Sequence, residues 1–455
     1  SPVSGTETVE GEFEKAYAVG KKSTSNGNPL PAFDFSIYEG EPETLQATPL
    51  NSHHKSLGAK MAPFAGWDMP LWYTSIKEEH AAVRNAAGLF DVSHMGVYLA
   101  SGPDAVVFLN SVVGNDVSAV RIGDTCYTHF LDPKGQIIDD LIIYRIEADQ
   151  YLIVVNAAND DKDWAWLNAV REDKIQIDLG TPEARAFGRK VILENLRDPA
   201  AGERRRVDLA LQGQISTDIL RKLSTNSEES EALLTLKKGQ VRKIVLGGFD
   251  LIIARTGYTG ERISYELFVH PDRLADLWTR LLEIGGPLGL KPCGLGSRDS
   301  LRIEAGLPLY GHELAGPEKY TICEAGLHGF VKTYKPWFIG RTAYREQEAS
   351  CKRILARFRF TDKTVRLAHF GDPIMDTRGK VVGRVTSCAQ DLEGWIMGLA
   401  MLDPKFATEG TPLYIYQNSE KAQLKEPGKL ADGEKTTLPN PAVVISRFPK
   451  AGKKA

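Results

Sequence analysis

Between residues 137 and 144 the chain reads Ile-Ile-Asp-Asp-Leu-Ile-Ile-Tyr, a β-branched and aromatic run that follows a turn-forming Asp132-Pro133-Lys134-Gly135. This pattern predicts a strand. Alternating side chains would put Ile137, Asp139, Leu141 and Ile143 on one face and Ile138, Asp140, Ile142 and Tyr144 on the other. Both faces are mostly apolar, as in a strand covered on two sides. Each face nevertheless carries one carboxylate, and an unpaired buried carboxylate is costly or shifts its pKa. Two readings stay open on the pattern alone: at least one acid faces a cavity, or both sit at the wet mouth of the strand with one capping the turn.

The rest of the chain alternates helical and strand periods. Ser75-x-x-Glu78 reads as a capping box opening a helix with Ile76, Val83 and Ala87 on one face and Gly88 as its stop. A strand is expected from Leu89, a helix after Gly102-Pro103, strands over 125–131, 137–145 and 151–156, and a helix over 160–170. Residues 181–207 read as a solvated insertion with a basic cluster at Arg204-Arg205-Arg206. A strand ends at 209–213, a helix follows over 215–223, and 224–240 reads as polar helix or loop. A further helix is expected from about Ser297. Past residue 350 the texture becomes all-β, with short strands near 353–360, 372–375, 381–385, 395–402, 411–416 and 442–445.

Composition narrows the class. The 455 residues are 42% apolar and 25% charged, which describes soluble globular protein of about three domains. A net charge of −3 supplies no global basic field for nucleic acid or anionic lipid. No apolar run approaches the roughly 20 residues of a membrane span. Five scattered cysteines without a Cys-x-x-Cys argue against a disulfide framework or a zinc site and fit a reducing compartment. The expectation is a cytoplasmic protein, or one of an organellar matrix if the N-terminus is already processed. Residues 1–47, with eight acids and three bases, read as an acidic extension, and 448–455 as a basic tail.

Three further features carry chemistry. Ala254-Arg255-Thr256-Gly257-Tyr258-Thr259-Gly260-Glu261 reads as a tight turn that brings backbone close to a neighbour. Glu266 places an acid in an apolar strand. Arg298, in a first helical turn, opposes the helix dipole and needs an anion: Asp299 or Glu304 if the role is structural, a ligand carboxylate if it is functional. The adjacent His53-His54 lack a second ligand cluster, so packing is expected of them rather than metal binding.

Taken in order, Gly58-Ala59-Lys60-Met61 with Phe64-Ala65-Gly66-Trp67, Phe90-Asp91-Val92-Ser93-His94-Met95, Ile138-Asp139-Asp140-Leu141, Val155-Asn156-Ala157, Arg255 to Glu261, and Gly296-Ser297-Arg298-Asp299 resemble the aminomethyltransferase (T-protein) family of the glycine cleavage system and its folate-dependent relatives. The resemblance covers about residues 48–340 well and 350–447 more loosely. It implies an α+β fold: a three-domain cloverleaf around a central folate-binding hole, with a folate-binding region at 48–345 and a C-terminal all-β barrel or sandwich at 350–447. It implies tetrahydrofolate as cofactor and Asp140 as the catalytic carboxylate beside the folate nitrogens. Asn156, Tyr258, Glu266 and Arg298 would bind folate, Met95 and Tyr127 would line the pocket, and no metal is required. The one-carbon donor would be an aminomethyl group on a lipoylated carrier protein. The alternatives are demethylation of a small methylated substrate and non-catalytic folate binding. The 181–207 insertion, Gln212-Gly213 where Gly-Pro is usual, the unusual 386–391 run and the acidic extension depart from the family pattern.

Overall fold

The computed structural model describes residues 30–40, 42–417, 425–436 and 440–448. Most of the acidic extension, 1–29, and all but the first residue of the basic tail lie outside the described residues. Residues 30–40 and 42–47 run over the surface: Phe33 and Phe35 pack on an apolar cluster, and Gln46 bridges to Trp67.

The acid-bearing run is the strand Ile137–Glu147, second in a five-stranded sheet ordered Thr125–Leu131, Ile137–Glu147, Gln150–Val155, Gly96–Ser101, Ile192–Asn195. The strict alternation expected of it fails at one point. Phe130 pairs with Asp139, but Leu131 pairs with Ile137, so Ile138 is an extra residue in a β-bulge. Ile138 therefore turns to the face of Asp139, Leu141 and Ile143 and joins the cluster under the helices Ala105–Val112 and Asp160–Arg171. Ile137 joins a different cluster, with Leu131. From Asp140 onward the expected face holds: Ile142 and Tyr144 look toward the second sheet.

That second sheet has six strands, ordered Val241–Leu246, Phe249–Ala254, Ser264–Val269, Val207–Gln212, Ala87–Asp91, Leu290–Cys293, with only the last pair parallel. Its outer face packs on the helices Ser216–Leu223 and Pro271–Gly285 through Ile219, Leu220, Leu274 and Trp278. Val97, Leu99, Tyr144, Leu152 and Val154 of the first sheet meet Val241, Ile252, Ala254 and Phe268 of the second, so the sheets share an apolar seam.

Three expectations about elements are corrected. Gly88 does not end the helix capped by Ser75, which spans Ile76–Asn85. Gly88 lies inside the strand Ala87–Asp91, where a Cβ would meet Val83 and the Cys293 sulfur. The 181–207 stretch is not all loop, because Ile192–Asn195 adds an edge strand beside Gly96–Ser101. Two of its three clustered arginines are matched within the fold, Arg204 with Glu194 and Arg206 with Asp250. The helix expected from Ser297 begins at Leu295. Its N-terminus is met by the carboxylate of buried Glu79, which accepts from the Gly294 N–H at 2.8 Å and the Ser297 hydroxyl at 3.1 Å.

The six strands beyond residue 350 close into a barrel ordered Ile354–Phe360, Ile396–Leu402, Val381–Gln390, Pro373–Met375, Pro412–Ile415, Asn440–Ile445. The barrel is bolted to the helix Leu295–Glu304 by a buried ion pair. Arg302, 1% exposed, donates to Glu313 at 2.8 Å, and Ser387 of the barrel joins both, accepting from Arg302 at 2.7 Å and donating to Glu313 at 2.6 Å. The chain is a multidomain α+β protein with a C-terminal barrel.

Candidate active site

The two acids of the Ile137–Glu147 strand occupy different surroundings. Asp139 is fully buried and accepts from the Asn156 backbone N–H at 2.9 Å, the Asn156 side chain at 2.8 Å and the Asn159 side chain at 2.6 Å. Asp140 is half-buried. It accepts from the Tyr127 hydroxyl at 2.8 Å and the Asn156 amide at 3.0 Å. The Asn156 amide also reaches the Asp140 carbonyl at 2.9 Å, so one side chain locks both acids in place. Burial, and after it the Asp139 charge, push the Asp140 carboxyl up to about 7 against the pull of its two donors. A carboxylate poised there exchanges protons or stabilises positive charge at ordinary pH.

Opposite, the strand Ser264–Val269 presents Glu266, 8% exposed. It accepts from the Tyr144 hydroxyl at 2.6 Å and from the Thr256 hydroxyl. Asp208, one strand over and 1% exposed, has an oxygen with no hydrogen-bond partner, and burial with the Glu266 charge raises its carboxyl well above the ordinary range. Arg298 lies with its guanidinium 5.3 Å from the Tyr258 ring centre and 5.9 Å from that of Phe90. Burial lowers its pKa, and the neighbouring Glu266, Tyr258 and Asp208 counter that.

The anion sought for Arg298 is neither of the two expected helix neighbours. Asp299 bonds Arg302 at 2.8 Å, and Glu304 pairs with His80 at 2.6 Å and Arg84 at 3.1 Å. Arg298 faces the Glu266–Asp208 pair instead, and its buried Nη1 has no hydrogen-bond partner among the described residues.

The remaining expected residues converge on the same place. Tyr258 donates to the Pro308 carbonyl at 2.5 Å and lies close enough to Asp140 to feel its charge. Met95 packs against the apolar clusters of both sheets. Tyr127 is more than lining, since its hydroxyl holds Asp140. Of the paired histidines, His54 is fully buried between Asp91 and the Tyr73 hydroxyl, each at 2.8 Å. Burial works against the Asp91 charge, but the His54 and Ser93 donors outweigh it and hold that carboxyl down at about 2.

Residues not anticipated are Tyr144, Thr256, Asp208, Asn159 and Asp163. Asp208 breaks the apolar strand Val207–Gln212 just as Glu266 breaks its neighbour, so the same reasoning applied once more finds it. Asn159 and Asp163 sit in a polar helix start, where sequence has no means of telling a buried acid from a solvated one.

Two sheets that share an apolar seam, each carrying an acid held by hydrogen bonds, with a half-buried arginine that feels the acids of the second sheet, define the site of an α+β protein. The model of the GCVT N-terminal domain family matches residues 50–335, and the chain belongs to that family. It is 38% identical over 373 residues to the aminomethyltransferase of Desulfitobacterium hafniense (strain Y51), covering 82% of this chain and 93% of that protein. It is 41% identical over 348 residues to that of Symbiobacterium thermophilum, covering 76% and 86%. Among solved structures, the glycine cleavage system aminomethyltransferase T from Bartonella henselae matches with a TM-score of 0.70 at 28% identity, over 89% of this chain and 97% of that one.

Proposed function

We propose that the chain is a folate-dependent aminomethyltransferase that takes its one-carbon unit from an aminomethylated lipoyl carrier protein. Membership of the family and the names of its relatives support the reaction class. The observation that carries the site is the pairing of half-buried Asp140, held by Tyr127 and Asn156, with Glu266 held by Tyr144 across the seam.

The residues present fit tetrahydrofolate. Its pterin edge is rich in N–H donors, and Glu266 and Asp208 are acceptors with capacity left after their own bonds. The unpartnered Nη1 of Arg298 suits an acceptor of the same ligand. When bound, tetrahydrofolate supplies the nitrogens that accept the carbon while ammonia leaves.

Asp140 contributes a fixed negative charge where positive charge develops, and it is held without needing to reorganise because Asn156 and Tyr127 already grip it. Glu266 and Arg298 orient the acceptor, and such positioning is the largest contribution open to a site with no covalent step. Tyr258, its ring 5.3 Å from the Arg298 guanidinium, and half-buried Met95 add apolar surface beside these groups.

Purified protein, tetrahydrofolate and an aminomethylated lipoyl carrier test the reading. Release of ammonia together with methylene-tetrahydrofolate is expected. Formation of methyl-tetrahydrofolate from a small methylated donor, with no reaction on the carrier, overturns it in favour of a demethylase. Folate binding without either product leaves a binding protein.

A further inference from the structure

Behind Asp139 lies another acid that the proposed reaction never touches. Asp163, on the helix Asp160–Arg171, is fully buried one turn past Asn159, whose side chain bonds Asp139 at 2.6 Å, and it lies close enough to Asp139 to feel its charge. The two acids are treated very differently. Asp139 collects three N–H donors from Asn156 and Asn159. Neither oxygen of Asp163 receives any donor among the described residues. The adjacent ammonium of Lys162 is spent on the Ile138 carbonyl at 2.8 Å, the Asn159 side-chain oxygen at 2.7 Å and the Tyr310 hydroxyl at 3.2 Å.

Two ionised carboxylates are acceptors only, and neither bonds the other. A contact between two buried acids becomes a hydrogen bond only when one of them carries a proton. The donors around Asp139 favour its charge, so the proton belongs on Asp163. We propose that Asp163 is a protonated acid at working pH, that it donates an O–H bond to Asp139, and that it thereby positions Asn156 and Asp140. The positioning part rests on the reading of Asp140 given above.

The charged and titratable groups facing Asp163 are Asp139 on its strand, Lys162 and Asp160 on its own helix, Tyr98 on the strand Gly96–Ser101, and Tyr310 beyond the helix Leu295–Glu304. Burial, then the Asp139 charge, raise the Asp163 carboxyl well above the usual range, and Lys162 only partly opposes them. With Asp163 neutral, Asp139 and Lys162 balance one another. Asp140 is then the uncompensated acid of the group.

The experiment compares wild type, Asp163→Asn and Asp163→Leu as full chains. Infrared spectra of the protein without substrates are compared at pH ~9, where Asp140 is ionised, and the difference between wild type and Asp163→Asn is expected to contain one protonated-carboxyl stretch, with any band from Asp208 cancelling because both proteins carry it. A difference spectrum without that stretch overturns the proposal. This measurement does not depend on what Asp140 does, which the turnover of Asp140→Asn tests separately.

In kinetics, Asp163→Asn keeps a neutral donor toward Asp139. It is expected to hold kcat within about threefold of wild type, with the acid limb of its pH profile unmoved. Asp163→Leu keeps the number and branching of side-chain heavy atoms but no donor, and its kcat is expected to fall at least about tenfold with KM for tetrahydrofolate changed by less than about threefold. A limb displaced downward in Asp163→Asn means that Asp163 carries charge, and an unchanged kcat in Asp163→Leu means that it positions nothing. Either result overturns the proposal.

Discussion

The Tyr144 hydroxyl donates to the Glu266 carboxylate across 2.6 Å, so the strand that carries Asp140 also steadies the acid of the opposite sheet. Asp140 and Tyr144 lie four residues apart on one face of that strand, and a single pleated surface sets the separation between the two halves of the site. Tyr144→Phe keeps the ring in the seam and removes only this bond. Glu266 retains Thr256, so tetrahydrofolate affinity is expected to fall by about 0.5–1.5 kcal/mol, the net scale of one hydrogen bond. Titration of the variant with tetrahydrofolate checks this, and unchanged affinity would show that Glu266 is positioned without Tyr144.

Asp140→Asn is expected to abolish most turnover while leaving tetrahydrofolate affinity within about tenfold, roughly 1.4 kcal/mol. The upward shift of Asp140, from burial first and the Asp139 charge second, also predicts a pH profile. With the ionised form active, kcat/KM rises with pH through about 7 and then levels. A wild-type profile flat across that region, or full activity in the variant, removes Asp140 from the reaction.

The same shift has a cost for the ligand-free fold. An acid whose pKa is higher folded than unfolded binds its proton more tightly in the native state. Its stabilisation is complete below the unfolded value near 3.9 and is lost as pH rises through about 7. Ligand-free Asp140→Asn is therefore expected to exceed wild type in stability by about 1–3 kcal/mol at pH ~8 and to match it near pH ~4. Urea unfolding at the two pH values measures the difference. Equal stabilities at the higher pH would mean that Asp140 ionises without penalty.

Arg298 has a buried nitrogen without a partner and two acids in view. Arg298→Ala is expected to weaken tetrahydrofolate binding by about 1–3 kcal/mol, the scale for a charge-assisted bond. Calorimetric titration decides it: a variant that binds as wild type does would confine Arg298 to balancing Asp208 and Glu266.

Sequence reasoning reached the acids, and the family resemblance reached Tyr127 and Asn156 as folate contacts, but neither showed that these two hold the acids. An acid in an apolar strand is a local anomaly, visible in a window of eight residues, and it led to Asp139, Asp140 and Glu266. The partners that give those acids different roles come from elsewhere in the chain: Tyr127 on the neighbouring strand, Asn156 and Asn159 past the next hairpin, Tyr144 against Glu266 across 122 residues. The bulge at Ile138 was hidden for a related reason, since an extra residue is defined only by the strand opposite. Arg298 shows the limit most clearly. Its need for an anion was legible from helix electrostatics, but nearby Asp299 and Glu304 proved to be engaged by Arg302, Arg84 and His80. The anions that face it sit on strands distant in sequence.

The Arg302–Glu313–Ser387 bolt bears on how this chain can be cut or recombined. Severing it near residue 335, where the family match ends, would take away Ser387 and uncover the Arg302–Glu313 pair, whose arginine lies on the very helix that carries Arg298. Exchange of the barrel between homologues then has to preserve that hydroxyl, and the heritable module is the whole length rather than its front two thirds.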